Sequence, residues 1–242
     1  MPLVKTILDS LGFDTMFAVG AGVFVVGTAL FIAELSGYEI RVLPPGIHRT
    51  GLRWDAMAVM QVSITAAIFG AGLVATAGIV FLPGVAYLRP AQAFVAVFGI
   101  LFGVPGALGC ALGNLIADLF GGYLTLGSVA GFIGNFLNAY IIYRFVKTAA
   151  HADLNSIGDA VRYAVGTILG ALVIAFYISW WLDLWHIVPT AAAWTVNFGH
   201  IMLNCTLTVL TLGYILTKAL FPYVKKWNMY WEDRQTDRAR NA

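Results

Sequence analysis

Residues 91–120 read AQAFVAVFGILFGVPGALGCALGNLIADLF, a run whose single charged residue is Asp118. Its centre decides the fold. FGVPG at 102–106 places Pro105 between glycines, and proline removes a backbone donor while clashing with the carbonyl one turn earlier. The run is therefore expected to break into two segments, 91–104 and 106–120. Segments of that length rise only about 21–23 Å, less than the roughly 30 Å of a bilayer's hydrocarbon core. Two arrangements remain open: short spans helped by local thinning, or a re-entrant hairpin packed inside protein.

The rest of the chain makes lipid the solvent. Of the 242 residues, 60% are hydrophobic and 11% charged, and the mean hydropathy is +0.83. A soluble domain of this size cannot hide so much apolar surface. Long apolar runs with short polar joints suit helices rather than the alternating strands of a membrane barrel. Spans are expected at 15–34, 57–80, 91–104, 106–120, 127–146, 158–181 and 194–221, an all-α integral membrane protein. Lys5 ahead of an apolar stretch resembles a secretory signal, but the stretch from Thr15 to Ala33 is long enough to span and no small-residue cleavage site follows. It reads as a retained helix.

Arginine and lysine placement sets the orientation. Arg41, Arg49 and Arg53 fall in the joint 36–56, Arg144 and Lys147 in the joint 144–157, and Lys218, Lys225, Lys226, Arg234, Arg238 and Arg240 in the tail. The alternate joints carry only Arg89. A multi-pass protein of the cytoplasmic (inner) membrane with a cytoplasmic C-terminus follows. The tail WNMYWEDRQTDRARNA reads as an interfacial aromatic belt followed by a solvated end.

Against this background the polar residues inside spans stand out. An ionised carboxylate near mid-bilayer costs at least about 2.5–3.5 kcal/mol, so it faces a partner or a wet cavity. Asn114 and Asp118 project together at i and i+4, and Arg89 is the only other charge between Leu88 and Tyr143. A structural pair and a ligand site both fit. Asn197, His200, Asn204 and Thr208 share a second face, as a lined cavity or as glue between helices. Asn135 and Asn138 form a third set. WWLDLWHIVP at 180–189 supplies Trp181 and Trp185 around Asp183, as an interfacial belt or as a stacking lid. In ITAAIFGAGLVATAG, Ala67, Ala71 and Ala75 recur every four residues, as do Ala66 and Gly70. Such ridges admit a close neighbour, and packing within the chain is the default.

Several chemistries are excluded. GSVAG at 127–131 lacks the serine of a nucleophile elbow. The histidines make no paired ligand set, so no metal or other cofactor is expected. There is no nucleotide-binding motif, and an enzyme is not expected. Basic residues confined to joints and tail do not point to nucleic acid. Cys110 and Cys205, both in apolar runs, read as small packing residues.

LRPAQ (88–92), LFGVPGALG (101–109), GNLIADLFGG (113–122), LTLGS (124–128) and GFIGNFLNAY (131–140) together resemble the substrate-binding (S) components of energy-coupling factor transporters, in particular the group that includes queuosine-precursor transporters. The resemblance implies a six-helix body over 57–221, preceded by an added transmembrane helix and basic loop (1–56) and followed by a polar tail (222–242). It implies a binder of a vitamin-like or heterocyclic micronutrient, with a site that opens outward and is closed by outer loops. It also implies a transmembrane coupling subunit and ATPases as partners, with Ala67, Ala71 and Ala75 as the docking ridge. Arg89, Gln92, Asn114, Asp118, Asn135, Asn138, Asn197 and His200 are then the expected cavity liners, with Trp181 and Trp185 as lid aromatics. The added helix motivates an alternative, an accessory or structural subunit of a larger membrane complex, with that helix capping the docking surface.

Overall fold

The computed structural model describes residues 12–42, 45–50, 52–77, 79–82 and 86–240; Lys5 and the side chains of Arg41, Arg238 and Arg240 lie outside this set. In chain order the elements are α1 (Phe13–Leu35), β1 (Tyr38–Val42), β2 (Pro45–Arg49), α2 (Ala56–Ala75), β3 (Val80–Leu82), β4 (Ala86–Tyr87), α3 (Ala93–Phe120), α4 (Gly127–Val146), α5 (Ala149–Ala152) and α6 (Ile157–Leu184). Then come α7 (Thr190–Ala192), α8 (Phe198–Thr208) and α9 (Tyr214–Lys226), joined by π-turns at Ala193–Asn197 and Val209–Gly213, and finally α10 (Trp231–Arg240). The strands form two short antiparallel hairpins, β1–β2 and β3–β4. Six helices among the described residues are long and apolar enough to cross a membrane. The protein is an all-α membrane bundle.

One of those six, Pro90–Phe120, is not a straight rod. Gly103 sits at φ 61°, ψ −135°, a non-helical geometry that favours glycine. Beyond it the chain turns back, so that a Cβ on Gly106 would overlap the Phe98 carbonyl. The neighbours prove the reversal. Along α4, Asn135 meets Gln92, Ala139 meets Gly99, and Tyr143 lines the same cavity as Val104. The second arm then returns, bringing Asn114 and Asp118 beside Gly131 at the other end of α4. The sequence expectation of a break at FGVPG holds, and the two segments form a hairpin. With its arms counted separately, the chain from Ala56 onward makes six legs and α1 a seventh.

The local signals are clear. Asp55 caps α2 by accepting from the Ala58 amide at 2.8 Å, and Ser156 and Asp159 form a reciprocal capping box on α6; each cap is worth about 1 kcal/mol. Lipid tails are as apolar as leucine, so close approach rather than hydrophobic transfer holds the legs together. Accordingly α2 and the second arm meet glycine to glycine, with a Cβ on Gly113 only 3.0 Å from the Ala66 carbonyl oxygen. Gly99 lies equally tight on Ala139, where a Cβ would come within 2.6 Å of the carbonyl oxygen.

Three expectations are corrected here. The two small-residue ridges of α2 have opposite fates: Ala66 and Gly70 are buried against the hairpin, whereas Ala67, Ala71 and Ala75 are exposed, so the second ridge is not internal packing. The added helix α1 does not cap that ridge. It lies on the opposite side against α6 and α4, with Gly20 on Trp180 and Gly27 on Leu137. The aromatic start of the tail is not simply an interfacial belt either. Tyr230 and Trp231 are fully buried, and Trp231 fills the hollow left by Gly103.

That tail closes the basic end of the bundle. Arg144 on α4 pairs with Glu39 at 2.7 Å and Glu34 at 3.7 Å, and Lys147 pairs with Glu39 at 3.3 Å. Tyr140 donates to Glu34 and Tyr143 to Glu232. Arg234 reaches back to both oxygens of Asp55, at 2.8 and 3.0 Å. A small cavity of about 20 Å³, room for about one water, lies among these groups, lined by Glu34, Glu39, Arg144, Lys147 and Trp231.

Candidate functional site

At the far end, four legs bring their polar residues together. The first arm contributes Gln92, whose amide donates to Asn135 Oδ1 on α4 at 3.2 Å. Asn135 in turn donates to the Gly131 carbonyl at 2.8 Å, closing its own helical turn. From the second arm, Asn114 donates to Asp118 Oδ2 at 3.2 Å. Gly131 makes room for this pair, because a Cβ there would come within 2.8 Å of the Asn114 nitrogen. Ser128, at the start of α4, adds a hydroxyl contact to Asp118.

The last leg closes the ring. Asn204 on α8 accepts from the backbone N–H of Arg89 at 2.7 Å, and its amide nitrogen lies 3.3 Å from His200 Nε2. Arg89 is exposed at the start of the first arm, near enough for its charge to act on Asp118, His200 and Cys205 alike. No direct ion pair joins Arg89 to Asp118 among the described residues, so the simple structural-pair reading of these two charges is not what the fold adopts. Deeper still, Asn138 is fully buried, and neither of its amide atoms has a hydrogen-bond partner among the described residues. It adjoins Cys205 and Gly170.

Of the ten expected binding residues, Arg89, Gln92, Asn114, Asp118, Asn135, Asn138 and His200 fall in this one region. Asn197 instead donates to Ser179 on α6 at 3.1 Å. Trp181 and Trp185 stand above, in ring contact at 5.8 Å. Trp181 donates its indole N–H to the Leu126 carbonyl at 2.9 Å, which ties it to the 121–126 joint beside Asp118. Cys205, read as packing, is indeed buried among Ala171 and Ile174, whereas sequence reasoning missed Ser128 and Gly131. The spacing of Gly131 four residues before Asn135 was the available signal for a polar face continuing into a gap.

The expectation of an outward-open cavity is corrected. Gln92, Asn114, Asn135, Asn138 and Asn204 are each no more than 7% exposed, so the amides are closed off in this structure, while Asp118 and His200 are half-buried and Arg89 is exposed. A second cavity, an open groove of about 320 Å³, lies to one side between the start of α1 and the α6–α7 turn, lined by Phe13, Asp14, Phe17, Asp183 and His186. The arrangement holds amide donors and acceptors, one carboxylate, one imidazole and one guanidinium in an apolar frame, which is the composition of a recognition site for a small polar molecule.

Comparison with known proteins agrees. No curated protein and no solved structure matches the chain. A model of the QueT transporter family matches residues 59–222, two thirds of the chain, and takes in every leg from α2 to α9. The chain therefore belongs to the QueT transporter family, a family of S components of energy-coupling factor transporters.

Proposed function

We propose that this chain is the membrane-embedded subunit that captures a heterocyclic micronutrient of the queuosine-precursor class for uptake, moved by a separate coupling subunit and its ATPases. The carrying observation is the convergence of Gln92, Asn114, Asp118, Asn135 and His200 from four legs near Arg89. In the closed state these amides satisfy one another. A ligand offering ring nitrogens and carbonyls would exchange those contacts for its own at little net cost. Asp118 and Arg89 would take its donor and acceptor edges, and Trp181 with Trp185 would cover its flat face. Because the amides are buried, entry would part the 121–126 joint beside Asp118.

The exposed ridge of Ala67, Ala71 and Ala75 is the surface we assign to the coupling subunit, since small residues let a foreign helix approach closely. Its freedom from α1 favours transport over a fixed role in another complex. The positive-inside bias puts the basic end and the C-terminus in the cytoplasm of a cell whose inner membrane holds the chain.

The experiment is purification of the full chain from its native membrane, followed by mass spectrometry of any small molecule carried along. A queuosine precursor or a related heterocycle, with ATPases in the same fraction, is the expected result. A stable large assembly without ATPases and without a ligand would overturn the reading.

A further inference from the structure

We propose that Phe24, on the added helix α1, is a positioning residue for the lid of this site: its ring holds Trp181, and Trp181 holds the 121–126 joint. The proposal deepens the ligand reading above and rests on it, while its first test does not require a ligand.

The contacts form a short chain. The Phe24 ring stacks on Trp181 with centroids 5.4 Å apart and planes at 22°. It also touches Trp180 at 4.6 Å and Tyr177 at 4.8 Å, so it sits in a notch of three rings along α6. Trp181 passes the restraint on through its indole N–H to Leu126. The joint it grips runs from Asp118 to Ser128, the two residues that face each other at the mouth of the polar cluster.

The joint's other hydrogen bonds are local: the Tyr123 amide donates to the Asp118 carbonyl at 2.8 Å and the Thr125 amide to Ser128 Oγ at 3.2 Å. Phe120, Tyr123, Leu124 and Leu126 are 76, 65, 51 and 47% exposed, so the loop buries almost nothing of its own. Segments with few buried contacts open at low free energy unless a specific bond holds them. By contrast α1 is well seated. Gly20 lets it lie on Trp180, Thr28 bonds the Tyr177 hydroxyl at 2.8 Å, and Glu34 engages Tyr140 and Arg144 at the opposite end. A rigid helix thus carries the ring that steadies an exposed loop. Since α1 lies outside the 59–222 match, this restraint is an addition to the shared body.

The test uses the full chain in lipid nanodiscs and amide hydrogen exchange. Phe24→Ala is expected to raise exchange at 121–129 about tenfold while 136–144, beside the Glu34 anchor, stays unchanged. The ring-preserving Phe24→Tyr restores slow exchange. Dissociation of a queuosine precursor should quicken by a similar factor in Phe24→Ala and recover in Phe24→Tyr. Unchanged exchange at 121–129, or a uniform rise along the whole chain, would overturn the proposal. If Phe24→Ala does not fold, Trp181→Phe, which keeps a ring and deletes the N–H, must give the same local rise, and its absence is equally fatal. A local rise in a protein whose wild type binds no queuosine precursor would support the Phe24 role and overturn the ligand reading instead.

Discussion

Gly131 faces Asn114 across a gap that leaves no room for a side chain unless Asn114 moves: a Cβ at 131 would come within 2.8 Å of the Asn114 amide nitrogen, itself bonded to Asp118. The site is therefore shaped by a missing side chain as much as by those present. Gly131→Ala should push Asn114 off Asp118 and weaken binding of a queuosine precursor about tenfold, whereas overpacking of this kind costs about 1–3 kcal/mol of stability. Titration and thermal unfolding, run on the same preparation, separate the two effects.

The hairpin turn makes a sharper demand. Gly106→Ala would drive a methyl group into the Phe98 carbonyl, and a loss of more than about 3 kcal/mol is expected, because backbone cannot move aside as a flexible side chain does. Gly22 on α1 has nothing within 4 Å of its would-be Cβ. Gly22→Ala should instead stabilise by up to about 1 kcal/mol through helix propensity. Unfolding midpoints of the two variants, moving in opposite directions, check this.

The basic end depends on Arg144. Glu34 is 2% exposed and shares Arg144 with Glu39. Arg144→Leu removes that shared cation from a buried carboxylate, a change that costs about 3–5 kcal/mol. Arg144→Lys should recover part of it, and limited proteolysis in the 36–56 joint should report α1 loosening in the Leu variant alone.

The ridge on α2 predicts a loss of partners without a loss of fold. Ala71 is exposed, so Ala71→Trp meets no neighbour within the chain. Its unfolding midpoint should match the wild type, while co-purification of coupling subunit and ATPases falls to background, since a bulky residue blocks close helix approach. Retained partners would place the docking surface elsewhere.

How much of this was visible beforehand follows from the range of the forces involved. The break at Gly103–Pro105 is local backbone chemistry and could be read directly, as could the polar residues, because an amide or carboxylate in lipid is expensive wherever it lies. The pairing of Gln92 with Asn135 across 43 positions was visible only as two candidates for the same cavity. What stayed hidden depends on faces and long-range contacts. No spacing or motif singles out Glu34, yet it is buried on Tyr140 and Arg144. Tyr230 and Trp231 looked like an interfacial belt, yet they plug the hairpin. Ala67 and Ala66 are adjacent in sequence, and only the packing of α2 decides which ridge is free.

The most direct test is calorimetric titration of a queuosine precursor into the purified full chain and into Asp118→Ala and Asn135→Leu. The account predicts saturable one-site binding to the wild type, weakened at least about tenfold in each variant as buried partners are left unpaired. A folded wild type that shows no saturation, or binding that both variants leave unchanged, would contradict it.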